Sequence, residues 1–230
     1  MSPLTSNRFV RGLQPRFARA VKGVANHTPL GKLVFYRYDY MFHPMDLAFL
    51  VQCVTDTANL RGPILELGCA GGHTSVFLNK HLDDLEGNRS YFAIDTFAGF
   101  TPEDVAVEIG RGKQVEDFDE TFRAYRREWY ERTMQLNGVT RVTAIEADVN
   151  SFDFSRFTEI SFCLIDVDLY RPVMKALDEV IPRMATGGII VIDDCMDLNK
   201  YDGAYQAYME ITERLGAPQE IHRKLGVLRF

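Results

Sequence analysis

"ISFCLIDVDLY" (residues 160–170) is an almost unbroken apolar run that ends in two aspartates, Asp166 and Asp168. A second run, "GGIIVIDDC" (187–195), closes the same way on Asp193 and Asp194, the first of them 25 residues after Asp168. Neither run alternates apolar with polar residues, so each reads as a strand buried on both faces. Working outward, "RGPILELGC" (61–69), "SYFAIDTF" (90–97) and "RVTAIEADV" (141–149) read as three earlier strands. Helical patterns fall between them: "HTSVFLNKHLDD" (73–84), "DETFRAYRREWYERTMQLNG" (119–138), "RPVMKALDEVIPRMAT" (171–186) and "DGAYQAYMEITERLG" (202–216). An earlier helix over 43–59 has His43-Pro44 as its start signal. The polar, glycine-containing stretch from Ala98 to Asp117 reads as a loop or lid, and "QEIHRKLGVLRF" (219–230) as a closing hairpin that turns at Gly226. Strand alternating with helix predicts an α/β fold. The sheet is doubly wound, mostly parallel and seven-stranded, with a C-terminal antiparallel hairpin.

In such sheets ligands bind at the carboxyl ends of the strands. Glu66, Asp95, Asp148, Asp166, Asp168, Asp193 and Asp194 all fall at or near predicted strand ends, so one acidic rim is expected.

"ELGCAGGHTS" (66–75) follows the first strand and opens a helix. Gly68, Gly71 and Gly72 let backbone approach a ligand closely, with Cys69 between them. The pattern is not the GxGxxG of a dinucleotide site. An acid before the turn suits a cationic cofactor better than a pyrophosphate, and S-adenosylmethionine carries both an ammonium and a sulfonium. Asp95, 23 residues after Gly72, is placed to accept ribose hydroxyls, and Asp148 to take the adenine amino group.

The aspartate pairs pose an electrostatic problem. Two such charges at about 4 Å cost roughly 4 kcal/mol at an effective dielectric of 20. A shared proton relieves this, and so does a divalent cation. Hard oxygen donors suit Mg²⁺, Mn²⁺ or Ca²⁺, and the absence of clustered Cys and His argues against zinc. If the fourth and fifth strands are neighbours, about 4.8 Å apart, Asp166, Asp193 and Asp194 meet around one ion. Such an ion would hold a substrate hydroxyl and lower its pKa. Asp168 is then an acid beside the ion, a helix cap or the base, and His43 and His73 are further base candidates.

The stretches "ILELGCAGGHTSVFL", "AIDTFAGF" and "DVDLYRPVMKALDEVIPRMATGGIIVIDDC" together resemble the macrocin O-methyltransferase type of class I S-adenosylmethionine-dependent methyltransferases. That family includes enzymes acting on deoxysugars of macrolide and aminocoumarin antibiotics. The resemblance runs from about residue 38 to the C-terminus. It implies methyl transfer to a hydroxyl of a small natural product, sugar-containing ones included, with a divalent cation, Mg²⁺ foremost. The family's ion ligands match Asp166, Asp193 and Asp194 here.

Other features bound the partners. The 230 residues suit one α/β domain with additions, and the net charge of −6 gives no general reason for nucleic-acid binding. Four scattered cysteines read as free thiols of a reducing, cytoplasmic compartment, and no run of about 18 apolar residues marks a membrane span. Residues 1–37 contain no acid but seven Arg and Lys, from Arg8 to Arg37. This basic arm, ahead of a catalytic domain at 38–230, reads as a transit segment, or as an arm packing on a partner subunit or over the site; a homo-oligomer, dimer or larger, is expected. The alternatives are an NAD-dependent oxidoreductase on a similar fold and a non-catalytic protein with a degenerate cofactor pocket.

Overall fold

The computed structural model describes residues 41–230 except 86–87, 114–117, 119 and 198–199, together with Val24 and Thr28. The chain separates into two units, Met1–Tyr40 and Met41–Phe230. The basic arm over residues 1–37 lies outside the described residues but for those two. Every element below belongs to the second unit.

Seven strands form one sheet: β1 (Ile64–Leu67), β2 (Tyr91–Asp95), β3 (Val142–Glu146), β4 (Ile160–Ile165), β5 (Met184–Ile192), β6 (Glu220–His222) and β7 (Leu225–Arg229). The order is β3-β2-β1-β4-β5-β7-β6. The first five are parallel, and β7 runs antiparallel to both β5 and β6. Among the described residues six helices cover it: α1 (Pro44–Asp56), α2 (His73–Leu82), α3 (Pro102–Gly110), α4 (Arg127–Leu136), α5 (Tyr170–Val180) and α6 (Asp202–Leu215). No helix among the described residues is long and apolar enough to cross a membrane.

The unbroken apolar strands serve two cores. Phe162 and Leu164 of β4 pack with α1, α2 and α4, while Cys163 and Ile165 pack with α5 and α6. All four cysteines are free and buried. β3 departs from the expected pattern: as the sheet's edge it is only partly covered, with Thr143 and Glu146 exposed.

Four expectations change. The Ala98–Asp117 stretch contains α3. Thr101 caps it, accepting from the Asp104 amide at 3.2 Å, and Pro102 supplies a preset first turn. The long helix over 119–138 is broken. A 3₁₀ turn (Glu120–Ala124) and an extended Arg126 precede α4, and the break turns Tyr125 onto Gly71, where an added Cβ would lie 3.0 Å from the ring. The helix predicted to reach residue 186 stops at Val180, because Pro182 cannot continue it, and β5 starts at Met184. The hairpin turns at Arg223–Lys224, with Arg223 left-handed at φ 59°, not at Gly226. Gly226 lies inside β7 because only a glycine fits there. A Cβ would meet Cys195 Sγ at 2.6 Å and the Tyr208 ring at 2.8 Å.

Candidate active site

A cavity of ≈ 270 Å³ opens at the carboxyl ends of β1, β2, β4 and β5. Its lining includes Glu66, Gly68, Cys69, Asp95, Asp148, Asp166, Asp168, Asp193 and Asp194, so the expected rim assembles in one place. Gly72 does not line it.

The glycine loop is held from below. Asp95 Oδ2 accepts the amides of Cys69 (2.8 Å) and Ala70 (2.9 Å), and Oδ1 accepts that of Phe97 (2.7 Å). Gly68 has φ 81°, and a Cβ there would sit 1.9 Å from the Asp166 carbonyl oxygen. Gly72 has a left-handed φ of 83°, which L side chains rarely adopt, and a Cβ there would lie 2.9 Å from the Tyr130 ring of α4. Glu66 is buried under α2, where its Oε2 accepts the hydroxyls of Ser75 (2.5 Å) and Tyr91 (2.8 Å). Burial raises its pKa to about 7, with the two hydrogen bonds opposing and Asp95 adding to the rise. Asp148 Oδ1 accepts the backbone and side-chain nitrogens of Asn150, both at 2.9 Å.

The two aspartate pairs follow from register. Ile165 pairs with Ile192, and the ladder continues when Asp193 N donates to the Ile165 carbonyl at 2.9 Å. In each pair the second residue is left-handed, Asp168 at φ 62° and Asp194 at φ 56°, a conformation aspartate tolerates better than most residues. Burial, then Asp193 and Asp168, hold Asp166 well above the carboxylate range. Burial, then Asp194 and Asp193, do the same to Asp168. Asp193 rises to about 6 by burial and by Asp194, against the pull of Lys224.

Lys224, at the hairpin tip, went unread as a site residue. Its Nζ donates to Asp193 Oδ2 (2.6 Å) and Asp194 Oδ1 (3.2 Å) and lies 4.8 Å over the Phe42 ring. Asp193 Oδ1 stays buried without a partner among the described residues. The expected three-carboxylate cage is not preformed: among the described residues no group of three His, Cys, Asp or Glu side chains is arranged to hold a metal. A lysine ammonium occupies the oxygens that would converge.

Other expected roles move. Asp168 does not cap α5. That helix has no side-chain cap of its own, and Glu108 of α3 accepts the Tyr170 amide at 2.7 Å. His43 is the cap of α1, its Nδ1 accepting the Met45 amide at 3.2 Å, while His73 does line the cavity. The outer wall is aromatic. Phe100 meets Phe122 edge-on (centroids 5.4 Å) and Tyr201 at a tilt (6.1 Å).

The sequence matches a family described as "Methyltransferase domain" over residues 65–195. No curated protein matches the chain. Solved structures with similar folds include the O-methyltransferase NovP, at 15% identity over 96% of this chain and 97% of that one, with a TM-score of 0.66. CalS11, a TDP-rhamnose 3′-O-methyltransferase of calicheamicin biosynthesis, in its apo form, aligns at 19% identity over 95% and 96%, with a TM-score of 0.60. An O-methyltransferase from Bacillus cereus in complex with SAH aligns at 13% identity over 96% and 94%, with a TM-score of 0.52.

Proposed function

The chain belongs to the methyltransferase-domain family and has the class I, Rossmann-like fold, and from that premise we propose that it is an S-adenosylmethionine-dependent O-methyltransferase acting on a small hydroxylated acceptor, with the help of a divalent cation. The observation that carries the reading is that one cavity joins the Glu66–Asp95 glycine loop to the four aspartates that follow β4 and β5. The similar solved structures add support: three are described as O-methyltransferases, one of them holding SAH and one acting on a nucleotide-linked sugar. A sugar-bearing natural product is the finer form of the proposal. The family match sets the oxidoreductase alternative aside.

In this reading Glu66 faces the cationic end of the cofactor. Asp95 takes the ribose hydroxyls with the lone pairs its three amide donors leave, and Asp148 takes the adenine amino group. S-adenosylmethionine held there would supply a methyl on a sulfonium, whose carbon–sulfur electron pair would leave with sulfur as a neutral thioether when the acceptor oxygen takes the methyl. Asp168 accepts the proton of the acceptor hydroxyl, and the aromatic wall around Phe100 keeps water out.

The donor set fits a hard cation. Asp166, Asp193 and Asp194 would hold it through oxygens suited to Mg²⁺ or Mn²⁺, and the buried, unpartnered Asp193 Oδ1 is an acceptor left open for it. When bound, such an ion supplies charge that lowers the hydroxyl pKa and draws the raised aspartates back to their ionised forms.

Calorimetric titration with S-adenosylmethionine tests the premise, and no binding at millimolar cofactor overturns it. Asp166→Asn should weaken Mn²⁺ binding at least tenfold. Asp168→Asn should keep the ion while lowering kcat roughly 10²–10⁴-fold. Asparagine is the right substitute because it accepts the left-handed backbone at 168. Turnover that survives EDTA unchanged refutes the ion's role.

A further inference from the structure

We infer that Lys224 is a built-in competitor for the divalent cation, closing the Asp193–Asp194 pair with its own ammonium until an ion displaces it. The inference rests on the ion reading above and deepens it. Two oxygens of the pair are already taken, Asp193 Oδ2 at 2.6 Å and Asp194 Oδ1 at 3.2 Å. Each of these oxygens keeps a second lone pair, but a divalent ion bound beside the ammonium would meet a like charge at close range, so the two cations compete for the pair. Of the two oxygens the ammonium does not reach, Asp193 Oδ1 is buried and without a partner among the described residues.

The backbone under Lys224 is fixed while its side chain can move. On one side the Arg223 Nε donates to the buried Asp46 of α1 at 2.9 Å. On the other, the Lys224 carbonyl accepts the Cys195 amide at 2.7 Å, next to the acid pair. The four-carbon stem is therefore the movable part. Its head already lies 4.8 Å over the Phe42 ring, a cavity-lining face that can keep an ammonium stabilised once it leaves the carboxylates. The lysine thus explains why an oxygen-rich rim holds no preformed cage among the described residues. It makes ion affinity the difference between two cations' affinities for one acid pair.

The test titrates Mn²⁺ into the full chain without cofactor, read by the free Mn²⁺ spin-resonance signal. Lys224→Met should bind Mn²⁺ at least tenfold more tightly than the unaltered chain. Lys224→Arg, whose guanidinium forks onto two carboxylate oxygens, should bind it more weakly. Lys80→Met removes one positive charge from an exposed pair with Asp83 and should change affinity less than twofold. A thermal-melt arm guards against misfolding: in EDTA the Met variant should melt below the unaltered chain, because its acids repel, and Mn²⁺ should raise its Tm by the larger increment. Equal or weaker binding by Lys224→Met, with the unaltered chain binding Mn²⁺, overturns this inference alone. Binding by neither chain overturns the ion reading and the inference together.

Discussion

Glu66 illustrates how one residue can trade stability for binding. In the unfolded chain its carboxyl titrates at the ordinary value near 4.5, and in the fold burial lifts it to about 7. Between these values the folded chain keeps a proton that the unfolded chain has released. Stability therefore falls as pH rises through that window, and the whole cost stands above pH 7. A shift of that size is worth on the order of 3 kcal/mol. Glu66→Gln should raise Tm by roughly 6–12 °C at pH 8 and converge with the unaltered chain below pH 4.5, as differential scanning calorimetry would show. In the proposed site the same substitution should weaken S-adenosylmethionine binding by tenfold or more, since the group that would face the cation loses its charge. At this scale the sequence was informative where side-chain position follows from strand register. Asp166 and Asp193 are neighbours because Ile165 and Ile192 are paired, and continuous apolar runs made that readable. Lys224 was not readable, because its reach depends on where the hairpin turns. Only Leu225 separates Lys224 from Gly226, and a turn at the glycine would carry the lysine away from the acids.

Among the elements, α3 is where local pattern misled. The stretch around it is polar and glycine-containing, but "TPED" holds a capping threonine, an N1 proline and acids in the first turn, which together start a helix. What keeps it in place is tertiary. Asp104 pairs with Arg171 at 3.0 Å, Glu108 accepts the Tyr170 amide, and Arg111 and Lys113 reach Asp202 at 3.3 and 2.6 Å. The cavity wall that includes Thr101 and Asp104 is thus fastened to α5 and α6. Glu108→Ala removes both the cap of α5 and the Glu108–Arg111 pair. It should cost about 2–3 kcal/mol in urea unfolding with the m-value unchanged, and should raise the cofactor Kd several-fold as the wall loosens. An unaltered midpoint would show that α3 is held by its other pairs.

Across the whole molecule the two ends of the parallel strands do different work. The carboxyl ends carry the cavity, while the amino ends carry Arg89, buried beside the last turn of α1. Its guanidinium donates to the carbonyls of Val54 and Thr57, each at 3.0 Å, and to the Thr57 hydroxyl. It thus satisfies acceptors that a helix terminus leaves open. Arg89→Met should lower stability by about 2–4 kcal/mol and leave cofactor affinity within twofold, since nothing at that end lines the cavity. The parallel core of the sheet was legible in the sequence, because burial on both faces erases alternation. The placement of β7 between β5 and β6 was not, because a short apolar strand carries no label for its neighbour. That placement has a consequence for how the chain is made. β5 is synthesised well before β7, and Ile189–Ile192 pair with Gly226–Arg229 only after that last strand emerges. At 5–20 residues per second, the interval from Ile192 to Arg229 lasts about 2–7 s. For that time the nascent chain presents an open, wholly apolar strand edge ending in two aspartates whose lysine has yet to be translated, the kind of surface on which chaperones act.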